Sequence, residues 1–173
     1  GKAIGLCGKD AGLLTVVKKP LTKDGVDLGF VGNIVGVNVK LLELLSIDEY
    51  IPVIAPVGVD RDGKSYNINA DTAASEIASA LKAEKLMFLT DVDGIRLTAK
   101  DSSTLISSIS VSEINELISS GVITGGMIPK VQGCVRAIEQ GVKRVHILDG
   151  TIPHPILLEI FTDKGIGTMV HAD

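Results

Sequence analysis

The sequence is poor in aromatic residues, with three phenylalanines, two tyrosines and no tryptophan in 173 residues. Single strands of nucleic acid are held by aromatic stacking, and nucleic acids in general by basic faces. The second is missing too: 17 Lys and Arg are outnumbered by 21 Asp and Glu, giving a net charge of −4 without basic clusters. No nucleic-acid partner is therefore expected. Cysteine is equally scarce. Cys7 and Cys134 lie far apart and outside any metal-binding spacing, which fits buried small hydrophobes in a reducing, cytoplasmic setting. No apolar run is long enough to cross a bilayer, and no signal segment opens the chain, so no membrane partner is expected. The three histidines, His146, His154 and His171, show no zinc spacing, and no serine nucleophile elbow is found. A standard P-loop is not expected, and Gly29-x-x-Gly32-x-x-x-Gly36 lacks dinucleotide spacing.

What remains is a chain that is 45% hydrophobic, enough to bury a continuous core. It opens Gly1-Lys2-Ala3 without methionine, and Ala3–Leu6 reads as a strand already under way. The expectation is a piece of something longer, truncated at its N-terminus. The first third reads as β-rich: Leu13–Val17 is β-branched and aliphatic, Lys23-Asp24-Gly25 signals a turn, and Val26–Val39 reads as extended. Asp62-Gly63 marks a second hairpin between Ile51–Val59 and Ser65–Ile68.

From Asp71 the period becomes helical through Ala73, Ala74, Ile77, Ala78 and Leu81, with Asp71 placed to cap. Leu86–Leu89 reads as a strand covered on both faces. Ser110-x-x-Glu113 is a capping box, with Gly121 as the stop of its helix. Ile128, Val131, Cys134, Val135 and Ile138 mark another helix, Val145–Leu148 a strand, Ile156–Phe161 a last helix and Ile166–Val170 a last strand. No repeat or linker divides the chain. Residues 1–173 are expected to form one α/β lobe, a mainly parallel sheet sandwiched by helices with β-hairpins in the first third.

Three segments carry polar residues that packing does not require. Tyr66–Ala74 joins a strand to a helix, where ligands settle in open α/β sheets; capping by Asn69 and Asp71 is the alternative. Leu89-Thr90-Asp91-Val92-Asp93-Gly94-Ile95 follows a buried strand and can hold a nucleotide through its amides, or be a plain turn. Gly125-Gly126-Met127-Ile128-Pro129-Lys130 enters a helix. Its lysine opposes the helix dipole unless a ligand supplies negative charge, so a phosphate is expected there.

Taken together, and with Gly5–Asp10, Asp27–Gly32 and Gly165–Met169, these segments resemble the amino-acid kinase family, in order and over the whole chain. Within it they are most similar to the branch acting on N-acetyl-L-glutamate, rather than on glutamate, aspartate, carbamate or UMP. The resemblance implies the carbamate-kinase-like fold and transfer of phosphoryl from ATP, with Mg2+, to the side-chain carboxylate. A carboxylate is already nucleophilic, so positioning and charge stabilisation are the task.

The resemblance makes Lys130 the lysine that stabilises the transition state, Asp71 the aspartate that orients catalytic lysines, and Asn67 a substrate-binding residue. It makes Asp91, Val92, Asp93, Gly94, Ile95, Arg96, Val122, Ile123, Thr124 and Met127 the nucleotide surface, and gives no protein ligand to the metal. A glycine-rich loop and second lysine of the family are not in the sequence, so the chain alone is expected to bind nucleotide weakly and turn over nothing. His146, Glu159 and Gly165 resemble an arginine effector site of feedback-inhibited members; a strand-end histidine and a solvated helix glutamate are the alternative. A homo-oligomer and docking of a PII protein are further family expectations.

Overall fold

The structure, a computed structural model, describes every residue except Ala99 and Lys164. The chain packs as two compact units, Gly1–Leu81 and Lys82–Asp173, although no linker marks the division in the sequence.

The first unit runs β1 (Lys2–Cys7), β2 (Leu14–Lys18), β3 (Gly32–Val37), α1 (Lys40–Ile47), β4 (Tyr50–Ala55), β5 (Val57–Val59), β6 (Ser65–Asn67) and α2 (Ala70–Ala80). β1 and β4 form a parallel pair, and a four-stranded sheet has the order β3-β2-β5-β6. β2 alternates as a half-buried strand should: Leu14 and Val16 are buried while Val17 is exposed. Around them pack Leu13, Leu42, Tyr66, Ile68 and Ala73. α1 departs from the β-rich reading of this third. Its apolar Leu42 is buried, but no side chain caps it, so the usual start signal is missing. The cap of α2 is Asn69, not Asp71: Asn69 Oδ1 accepts the Thr72 N–H at 3.0 Å, and Asp71 lies in the first turn.

The second unit runs β7 (Lys85–Thr90), β8 (Ser108–Ser110), α3 (Val111–Ser119), α4 (Met127–Glu139), β9 (Arg144–Asp149), α5 (Pro155–Phe161) and β10 (Thr168–His171). Its sheet has the order β7-β9-β10-β8; β7–β9 and β10–β8 are parallel and β10–β9 antiparallel. α4 turns Val131, Cys134, Ala137 and Ile138 inward at helical spacing, and each is buried. Burying a side chain such as Val131 contributes roughly 1.5–3 kcal/mol. In β7, Leu86 and Phe88 are buried but Leu89 is 51% exposed, so one face of the strand is covered rather than both. The capping box closes in both directions, with Ser110 N–H donating to Glu113 Oε2 at 2.7 Å and Glu113 N–H to Ser110 Oγ at 3.3 Å. β7 and β9 run parallel with Thr90 opposite Asp149, so the loops leaving both strands emerge side by side.

Candidate functional site

At that end of the second unit lies a cavity of about 390 Å³, lined by Asp91–Arg96, Val122–Thr124, Met127 and Asp149. The loop after β7 is pinned at several points. Thr90 Oγ1 accepts the Val92 N–H at 3.0 Å, and Arg96 donates to both carboxylate oxygens of Asp93, at 3.1 and 2.7 Å. Ile95 donates its N–H to Thr168 Oγ1 at 2.8 Å and accepts from the Ile106 N–H at 2.9 Å. Gly94 adopts φ +154°, and a Cβ there would overlap the Thr168 hydroxyl. Only glycine takes this backbone without strain.

The opposite wall follows the end of α3. Gly121 turns at φ +74°, which directs the N–H groups of Val122 and Ile123 back to the Leu117 carbonyl, 3.0 Å from each. This delivers Val122–Thr124 to the cavity and leads into α4. Met127 opens α4, and Lys130 stands one turn further along the same helix. Among the described residues no hydrogen bond or ion pair holds its ammonium group.

All ten residues expected to form the nucleotide surface therefore line one cavity. Sequence reasoning missed an eleventh, Asp149. The Thr151 hydroxyl, and then the Thr151 amide, hold its carboxyl below the usual carboxylate range, so it is ionised at neutral pH. Its signal was available, since a polar residue ends the apolar strand Val145–Leu148 as Asp91 follows Leu86–Leu89. Three carboxylates and one engaged guanidinium make this cavity unsuited to a polyanion. They suit a group that donates hydrogen bonds, with Val122 and Met127 adding apolar surface.

Asn67 and Asp71 belong to the first unit, four residues apart at the β6–α2 junction, and both are exposed. Asn67 is fixed through its backbone N–H, which donates to the Phe30 carbonyl at 2.8 Å. The same unit holds a pattern that the sequence reading passed over: Gly58-x-x-x-x-Gly63-Lys64-Ser65 spells a P-loop. It forms the β5–β6 hairpin, closed by Asp60 N–H to the Lys64 carbonyl, and not the strand–loop–helix that cradles phosphate.

His146, Glu159 and Gly165 come together in the second unit. Glu159 Oε1 lies 2.7 Å from His146 Nδ1, and Oε2 accepts the N–H groups of Ile166 at 2.7 Å and Gly167 at 3.3 Å. Both side chains are 7% exposed, so Glu159 is not a solvated helix residue. Burial pushes the Glu159 carboxyl up, but the Ile166 amide, His146 and the Gly167 amide more than offset this and leave it lowered. Gly165, at φ +61°, leaves space where a Cβ would crowd that carboxylate.

Comparison with known proteins matches residues 1–149 to the model of the amino acid kinase family. An acetylglutamate kinase of Caldicellulosiruptor saccharolyticus is 61% identical over 99% of this chain, which covers 59% of that relative. The N-acetylglutamate synthase of Neisseria gonorrhoeae, solved with coenzyme A and N-acetyl-glutamate, is 29% identical with a TM-score of 0.85, over 99% of this chain and 38% of that one. The carbamate kinase of Giardia lamblia bound to AMP-PNP has a TM-score of 0.69 over all of this chain and 62% of that one; at 18% identity it shows the fold alone. The chain thus spans about three fifths of the length of the curated relatives it matches.

Proposed function

We propose, from the premise that the chain belongs to the amino acid kinase family, that it is the nucleotide-binding part of an acetylglutamate kinase. In this reading the protein of full relative length transfers a phosphoryl group from ATP to the side-chain carboxylate of N-acetyl-L-glutamate, a step of arginine biosynthesis. The cavity of the second unit carries the proposal, because its carboxylates and apolar wall suit a nucleoside and repel polyphosphate. The phosphates then extend toward the Gly125–Lys130 entrance to α4, where N–H groups and the Lys130 ammonium favour anions. Magnesium belongs with the phosphate oxygens; among the described residues no group of three or more His, Cys, Asp or Glu offers a cage for it.

Each residue has a bounded task. Lys130 neutralises charge on the phosphoryl group in flight; Asp71 orients the catalytic lysines; Asn67 binds the acetylated amino acid. The attacking carboxylate needs no general base, so no residue is assigned that role. The test is ADP release by the protein of full relative length with alternative acceptors. The expected result is dependence on N-acetyl-L-glutamate; phosphorylation of free glutamate but not of its acetylated form overturns the proposal.

The His146–Glu159–Gly165 cluster supports a second role, as a site for arginine acting as a feedback inhibitor. The three residues meet around one buried carboxylate, the natural partner of a guanidinium. That carboxylate already accepts from His146 and two amides, so arginine either replaces one of them or takes the remaining acceptor position on Oε1. Calorimetric titration with arginine of the parent and of Glu159→Ala decides this, and equal binding by both removes the assignment.

A further inference from the structure

Thr168 lies outside the cavity, is fully buried, and uses its hydroxyl as both donor and acceptor. Thr168 Oγ1 accepts the Ile95 N–H at 2.8 Å and donates to the Ile106 carbonyl at 2.6 Å. Ile106 in turn donates its own N–H to the Ile95 carbonyl at 2.9 Å. Two turns of one loop, at Ile95 and Ile106, thus close on a hydroxyl more than sixty residues away, and both backbone polar groups of Ile95 are held. The residue before it, Gly94, presses its Cα face against the same oxygen, with no room for a Cβ. Gly94 and Ile95 both line the cavity.

On its other side Thr168 follows Ile166 and Gly167, whose N–H groups are held by the Glu159 carboxylate. The hydroxyl therefore stands on a segment that is itself fixed. From this arrangement we infer that Thr168 is a positioning residue of the nucleotide pocket: its hydroxyl sets where the Gly94–Ile95 backbone meets the nucleoside. The inference rests on the nucleotide reading of the cavity.

Two substitutions separate this role from simple support of the fold. Thr168→Val keeps the shape and removes the hydroxyl, leaving a buried N–H and C=O without their partner. Thr168→Ser keeps the hydroxyl and removes a buried methyl group, which lowers stability while the Ile95 bond survives. Thr168→Cys, close to serine in shape and a weak hydrogen-bonding partner, repeats the comparison should the valine variant not fold.

The experiment is calorimetric titration of the protein of full relative length and its variants with ATP, beside thermal unfolding and amide hydrogen exchange. Thr168→Ser is expected to bind within about threefold of the parent despite a lower Tm, and Thr168→Val about tenfold more weakly or worse. Exchange at the Ile95 amide is expected to accelerate in the valine or cysteine variant, with Val145 and Ile147 unchanged. Parent-like affinity in both those variants overturns the inference, as does affinity that simply follows Tm across the series. If the parent itself binds no ATP, the nucleotide reading falls first, and this inference with it.

Discussion

Arg96 grips Asp93 with both arms of its guanidinium, Nε at 3.1 Å from Oδ1 and Nη2 at 2.7 Å from Oδ2, three residues apart on the rim of the cavity. A fork of this kind fixes orientation as well as distance. Both side chains are 27% exposed, and the pair joins residues only three apart, so it holds the loop in one shape rather than tying distant parts of the fold together. Asp93→Asn is therefore expected to leave the thermal transition almost unmoved and to weaken ATP binding by about fivefold. A large fall in Tm with unchanged affinity contradicts this assignment of the pair.

Lys130 gives the sharpest separation between binding and chemistry. It stands one helical turn beyond Met127, outside the residues that line the cavity, and in the proposed orientation it meets the phosphate end of the nucleotide rather than the nucleoside. Lys130→Ala is expected to lower turnover by about a hundredfold or more in the protein of full relative length, while nucleoside binding persists. The check is kcat for ADP release together with an adenosine titration. Unchanged kcat removes Lys130 from the mechanism.

The ordered motifs made much of the second unit legible, because its caps and periods are local. The capping box at Ser110 and Glu113, the stop at Gly121 and the α4 stripe all act within a few residues of one another. α1 was missed because Val39 offers no capping side chain, and β8 because three residues carry no period. The antiparallel entry of β10 beside β9 does not follow from spacing, and neither does the placement of Thr168 against Ile95, 73 residues away. The P-loop pattern at Gly58–Ser65, passed over in the sequence, carries letters without the structure: a hairpin turn takes the place of the helix that would give them a phosphate to hold.

Acid pH tests the buried carboxylate. Glu159 titrates below its ordinary value of 4.5 in the folded chain, because the Ile166 and Gly167 amides and His146 together outweigh its burial. A lowered folded value means stabilisation present above the unfolded value and lost as pH falls through the folded one. Glu159→Gln is expected to unfold at a lower temperature than the parent at neutral pH. The gap should narrow below about pH 4.5 as the parent carboxylate takes up its proton. A pH-independent gap shows that the loss comes from packing or from the exchanged amide alone.

The proposed orientation of the nucleotide is tested most directly at Asp149. It reaches the cavity from β9, beside the loop that follows β7, and two bonds from Thr151 fix one of its oxygens, Oδ1, at 2.8 and 2.6 Å. The second oxygen is left to accept from a ligand hydroxyl or amine, and the negative charge opposes phosphate. Adenosine is accordingly expected to compete with ATP for the cavity more effectively than tripolyphosphate does. Asp149→Asn keeps the side-chain size and the Thr151 contacts, yet turns a charged acceptor into an amide. It should weaken adenosine by about tenfold and leave tripolyphosphate unchanged or slightly tighter. Competition calorimetry on the two proteins reads both numbers. A variant that loses tripolyphosphate and retains adenosine places the phosphates in this cavity and reverses the orientation proposed for the nucleotide.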